Sequence, residues 1–158
     1  MSAHTQGAAA GEIRPLGAED HAMWLPLWRG YLTFYGAELP ETVSATTWAR
    51  LIDPAEPVHG ALALDEAGRA VGLVHWLFHR STWSEGDVCY LNDLFVADSQ
   101  RGKGLGAGLI AHVHADATAR GAAEVYWLTH ETNATAQRLY NAVAERTGFI
   151  QYRKLVTP

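Results

Sequence analysis

The chain has 158 residues, 48% apolar and 18% charged, a globular composition sized for one core and far from the disordered class. A formal net charge of −5 with no basic run lacks the footprint of a nucleic-acid surface and suits a cationic small-molecule partner. No stretch of about 18 apolar residues and no basic, apolar leader is present, so the expectation is a soluble cytoplasmic protein off the membrane, with residues 1–11 as a mobile tail.

Residues 12–16 read as a short strand, and residues 18–35 as a helix with Asp20 near its start and Gly36 just past its end. Trp24, Trp28, Tyr31 and Tyr35 recur along that helix at helical spacing. The tryptophans are expected in the core and the two tyrosines, whose hydroxyls want a polar edge, beside a cationic amine. A second helix spans residues 41–51 and is stopped by Asp53-Pro54 and Pro57.

Residues 58–64 and 70–79 are β-rich runs joined by a polar, Gly-containing connection, which predicts an antiparallel pair. On the second run His75 and His79 share one face, and Trp76 and Phe78 the other. The nearly unbroken apolar run 88–96 predicts a central strand buried on both faces, with Cys89 a small core side chain rather than a nucleophile.

Leu105, Leu109, Val113 and Ala117 recur every four residues and predict a helix over 104–120, ended by Gly121. His112 and Asp116 share its face without a third ligand nearby, so no metal is expected. A strand over 125–129, a helix over 132–145 and a last strand over 149–156 complete a mixed α/β (α+β) class, one domain over residues 12–158.

Between the strand 88–96 and the helix that follows lies Gln100-Arg101-Gly102-Lys103-Gly104-Leu105-Gly106. Glycines there let backbone N–H groups approach an anion at a helix N terminus, and Arg101 and Lys103 add positive charge. The Walker pattern fails for want of Gly-Lys-Ser/Thr. Gly102, Gly104 and Ala107 fit the dinucleotide fingerprint loosely, but only strand, helix and strand remain downstream.

Arg101-x-x-Gly104-x-Gly106, the preceding Leu91-Asn92-Asp93-Leu94-Phe95-Val96 and the later Asn133-x-x-Ala136-x-x-Leu139-Tyr140 together resemble the GNAT superfamily of N-acetyltransferases. The likeness is greatest to the fungal histone and D-amino-acid acetyltransferase group and more distant to the diamine acetyltransferases, whose closest members carry a Glu where this chain has Asn92. The resemblance implies a mixed, mostly antiparallel sheet flanked by about four helices, with a splayed central strand pair. It also implies acetyl-CoA as donor, a small-molecule amine as acceptor and a homodimer as the assembly to test for.

On the same footing, Arg101, Gly102, Lys103, Gly104, Leu105 and Gly106 would hold the pyrophosphate and the backbone of Leu94, Phe95 and Val96 the pantetheine amides. Asn133, Ala136 and Tyr140 fall on one helix face, toward the cofactor, and Tyr140 matches the family's general acid. A primary amine with a pKa of about 10.4 is unprotonated in only about one molecule in 2,500 at pH 7, so a proton acceptor is needed. Asp93 and Glu85 are the carboxylates to examine, with Tyr31, Tyr35, Trp76, Asn92 and Asp93 as acceptor-binding candidates. A peptide lysine acetyltransferase and a catalytically idle acetyl-CoA-binding module remain alternatives.

Overall fold

Five strands, β1 Ile13–Pro15, β2 Val58–Leu64, β3 Ala70–His79, β4 Val88–Val96 and β5 Val125–Tyr126, form one sheet in sequence order in the computed structural model, which describes residues 11–157. The first four pair antiparallel and β5 runs parallel to β4, so the sheet is mixed. Four helices accompany it: α1 His21–Phe34, entered through a 3₁₀ turn, α2 Glu41–Leu51, α3 Leu105–Ala119 and α4 Ala134–Val143. The chain divides into two compact units, the first ending at Leu128 and the second starting at Thr129. Apart from Gly11, the expected N-terminal tail lies outside the described residues.

Sequence-local chemistry explains the elements of the first unit. The β2–β3 turn is held by Asp65, whose Oδ1 accepts the backbone N–H groups of Ala67 and Arg69 at 2.9 Å, and by Gly68 at φ +78°, a conformation glycine adopts without penalty. Trp24, Leu27 and Trp28 bury one stripe of α1 against Leu51, Leu62 and Leu73, and Trp28 Nε1 donates to Ser44 Oγ of α2 at 2.9 Å. Leu105, Leu109, Val113 and Ala117 are buried along α3, as their spacing predicts. α3 lies on the other side of β3, where Trp76 meets His112 and donates to Asp116.

Two irregularities shape β4. In its pairing with β3, His75 is opposite Asp93 but Trp76 is opposite Leu91, so Asn92 is an extra, bulged residue. On its other side, β4 meets β5 only at Cys89↔Val125 and Tyr90↔Tyr126. Past Tyr90 no strand among the described residues pairs with that edge, and the expected splayed pair is this fork. Burial follows the fork: Val88, Cys89 and Leu91 are buried, Asn92 is exposed, and the residues from Asp93 to Val96 are only partly covered. The expectation of a strand buried on both faces therefore holds for its first half alone.

The second unit differs more. Residues 149–156 form no strand, and Phe149, Ile150, Tyr152, Leu155 and Val156 are exposed. A β-rich run becomes a strand only where a neighbouring backbone supplies the ladder, and none is provided within this unit. Helix α4 is shorter than the expected 132–145 because Asn133 caps it, its side-chain oxygen accepting the Ala136 N–H at 3.3 Å. Among the described residues no helix is long and apolar enough to cross a membrane.

The entry to α1 carries a stability prediction. Asp20, 1% exposed, accepts Arg14 at 2.6 and 2.9 Å and the Gly17 N–H at 2.7 Å. The Arg14 hydrogen bond is the main reason its carboxyl sits below the usual range. A lowered folded pKa means this contribution is complete above about pH 4 and is lost as pH falls through the folded value. Asp20→Ala strands a partly buried guanidinium and should cost about 3 kcal/mol in urea unfolding at pH 7, with the difference from wild type shrinking below about pH 4.

Candidate active site

Asp93 stands where β4 leaves its neighbour, and polar groups of three elements gather around it. His75 of β3 lies with Nδ1 2.9 Å from Asp93 Oδ2, Asn92 Nδ2 is 3.2 Å from Oδ1, and the Tyr31 phenol of α1 is near enough for the Asp93 charge to raise its pKa. Tyr31, Tyr35 and Tyr90 ring the group. All three phenols are pushed above the ordinary tyrosine value, mainly by burial and then by the Asp93 charge, so they remain neutral donors at physiological pH. Tyr31 and Tyr35 meet edge-on at 5.0 Å, and Tyr35 is 48% exposed, so the box opens to solvent on that side. A carboxylate with one oxygen tied inward and aromatic faces around it suits an ammonium group.

The bulge brings Tyr90 into this group. Tyr90 and Asp93 are three residues apart, and in a regular strand they would face opposite sides. Tyr126 extends the wall, stacked on Tyr90 at 5.0 Å with its hydroxyl 2.7 Å from His79 Nε2.

Trp76, an expected acceptor residue, does not join them. It is 4% exposed on the α3 side of β3, and its Nε1 donates to Asp116 Oδ2 at 2.9 Å. Strand alternation puts it opposite His75, so it cannot share a face with Asp93. Glu85 is exposed in the β3–β4 connection. Cys89 is fully buried, and desolvation pushes its thiol to about 11, which removes it as a nucleophile at neutral pH.

The glycine loop lies at the end of the free β4 edge. Gly102 and Gly104 take φ +79° and +80°, and a Cβ on either would meet nothing within 4 Å, so the backbone there faces open space. Gly104 caps α3, and the first α-helical bond runs from Gly108 N to Gly104 O at 3.0 Å, which leaves the amides of Leu105, Gly106 and Ala107 without helical acceptors. Arg101 and Lys103 are exposed. Arg101 pairs with Asp98 at 3.0 Å and lies 5.0 Å from the Phe34 ring centre, and Lys103 donates to Gln100 at 3.2 Å. A cleft of about 710 Å³ opens beside it, walled by Met23, Leu27, Gly30, Phe34, Phe95 and Arg101 among others.

In the second unit Asn133 opens α4 as its cap, Ala136 is the residue it caps, and Tyr140 lies two turns in, partly buried. The commitment of Asn133 to the cap was not visible in the spacing of the motif. Sequence reading also missed Tyr90, since the bulge arises from pairing, and the contact between Trp24 and His75, which lie 51 positions apart and meet at 3.0 Å. Among the described residues no group of three or more His, Cys, Asp or Glu side chains is placed to hold a metal.

Comparison with known proteins adds three findings. Residues 23–144 match the model of the acetyltransferase (GNAT) family. The chain is 39% identical over 143 residues to the D-amino-acid N-acetyltransferase HPA3 of Saccharomyces cerevisiae, covering 90% of this chain and 89% of the yeast protein. Among solved structures, a probable acetyltransferase superposes with a TM-score of 0.80 at 26% identity, covering 93% of this chain and 99% of its own. AAC(6')-Iy, solved with a CoA-linked bisubstrate analogue, does so at 0.78 and 23%, covering 92% and 98%.

Proposed function

The chain belongs to the acetyltransferase (GNAT) family and is an N-acetyltransferase, and we propose that it transfers the acetyl group of acetyl-CoA directly to a primary amine of a small molecule, an amino acid or a polyamine. The observation that carries this reading is Asp93, a carboxylate boxed by tyrosines at the fork of β4 and β5. Residues 12–158 act as one domain in this reading.

The protein surface fits the donor. The open edge of β4 at Leu94, Phe95 and Val96 offers backbone groups to an extended chain of amides, and the spacious glycine loop from Arg101 to Gly106 offers N–H groups and two cations to a pyrophosphate. Bound acetyl-CoA supplies an activated thioester. Asp93 Oδ1 takes the ammonium proton directly or through water, with Tyr31, Tyr35 and Asn92 around the amine. A backbone N–H near Leu94 or Phe95 stabilises developing negative charge on the acyl oxygen. The Tyr140 hydroxyl gives a proton to the departing sulfur.

The yeast relative's name puts D-amino acids first in the test panel. Polyamines, aminoglycosides and lysine peptides complete it, with CoA release as readout. Turnover of a small amine supports the reading, turnover of peptides alone replaces it with a peptide acetyltransferase, and acetyl-CoA binding without CoA release leaves an idle module. With the acceptor identified, Tyr140→Phe should lower kcat by about 10²-fold or somewhat less and leave both KM values near wild type, because a thiolate leaves fairly well unaided. A kcat within about twofold would assign Tyr140 to packing alone.

A further inference from the structure

Behind Asp93 runs a buried chain of two hydrogen bonds that links three elements. Trp24 Nε1 of α1 lies 3.0 Å from His75 Nε2, and His75 Nδ1 lies 2.9 Å from Asp93 Oδ2. Exposure rises along it, from 0% at Trp24 through 2% at His75 to 13% at Asp93. An indole N–H only donates, so His75 Nε2 must accept, and the single proton of a neutral imidazole must then sit on Nδ1 and point at the carboxylate. The tautomer of His75 is therefore set by a residue that never meets solvent.

Packing alone does not explain this arrangement. The His75 ring lies 5.4 Å from that of Trp28 and 6.1 Å from that of Trp24, in a setting where an aliphatic side chain would fill the volume without the cost of desolvating polar groups. What the polar chain adds is direction. Oδ2 of Asp93 is occupied from the interior, which leaves Oδ1, held by the exposed Asn92 amide, as the oxygen on the solvent side of that bond.

We infer that His75, locked as its Nδ1–H tautomer by Trp24, is a positioning residue that holds Asp93 in the one orientation useful to the acceptor amine. The inference rests on the assignment of Asp93 as the group that meets the amine. Reactive geometry is sensitive to small displacements, and a shift of about 1 Å commonly costs about 10²-fold in rate. Releasing Asp93 should therefore reduce kcat for the amine and leave the KM for acetyl-CoA alone.

Three variants and one spectroscopic measurement test it. His75→Leu removes both bonds and should lower kcat by about 10²-fold. His75→Gln, whose amide can donate to Asp93 and accept from Trp24, should recover most of that loss. Trp24→Phe keeps an aromatic ring but deletes the donor, and should lower kcat less than His75→Leu. Because His75→Leu strands a buried indole N–H and can fail to fold, the ¹⁵N shifts of the His75 ring are measured in the wild-type protein at pH 7. They should show a protonated Nδ1 and an accepting Nε2. The Nε2–H tautomer overturns the inference whatever the kinetics show. A crippled Asp93→Asn beside an undiminished Trp24→Phe or His75→Leu overturns it alone, whereas an Asp93→Asn enzyme with wild-type kcat and wild-type amine KM removes the Asp93 assignment and this inference together.

Discussion

Asp93→Asn should lower kcat/KM for the amine by about 10²–10⁴-fold while the protein folds and binds acetyl-CoA as the wild type does. The amide keeps the shape of the carboxylate, and its carbonyl oxygen can still accept the His75 proton at the position of Oδ2. What it loses is the negative charge and the capacity to take a proton. The size of the effect follows from the ammonium group, since an amine with a pKa of about 10.4 holds back about 5 kcal/mol at pH 7 until its proton is removed. The pH dependence separates two roles for the same carboxylate. If Asp93 accepts the proton, the penalty of the variant should shrink as pH rises toward the pKa of the amine, where the acceptor arrives already deprotonated. If Asp93 only attracts the cation, the penalty should instead fall on the amine KM. Rates at saturating acetyl-CoA across about pH 7–10, for both enzymes, decide between them.

Gly104→Asp should weaken acetyl-CoA binding by more than about 10²-fold in calorimetry. The residue sits at φ +80°, a conformation that aspartate tolerates better than most side chains, and nothing lies within 4 Å of its would-be Cβ, so the fold should survive. An aspartate at a helix N terminus is itself a good cap, and its carboxylate would take the amides of the first turn of α3 for itself. The variant thus supplies an internal competitor for the phosphate and repels it as well. Gly104→Ala adds only backbone strain and should lose much less affinity. Equal losses in the two variants would point to distortion of the loop, and unchanged affinity in a folded Gly104→Asp would remove the loop as the phosphate site.

Residues 41–96 show how much was legible in advance. α2, β2, β3 and β4 occur at the expected residues, because strong alternation or an unbroken apolar run was bounded by Pro54, Pro57, Asp65 and Gly68. The cap at Asn133 and the truncation of β5 at Tyr126 depend on local competition and on pairing, which periodicity does not report. Within the site, Asp93, Tyr31 and Tyr35 were identified and come together, whereas Trp76 was assigned to the pocket although its own strand alternation placed it opposite His75. The Trp24–His75 contact left no trace in the sequence. Two residues from different elements, each plausible as core, reveal a hydrogen-bonded pair only once the sheet and α1 are docked.

The bulge at Asn92 also bears on solubility. A strand whose edge lacks a partner invites a second molecule to extend the sheet, and Leu94-Phe95-Val96 has the apolar, β-prone character that makes such templating dangerous during synthesis and storage. An extra residue in the strand bends it and spoils the even spacing of amides and carbonyls that an incoming strand would have to match. The kink that brings Tyr90 beside Asp93 thus doubles as a guard against self-association. Straightening it by deletion of Asn92 would remove activity and colloidal stability in one step.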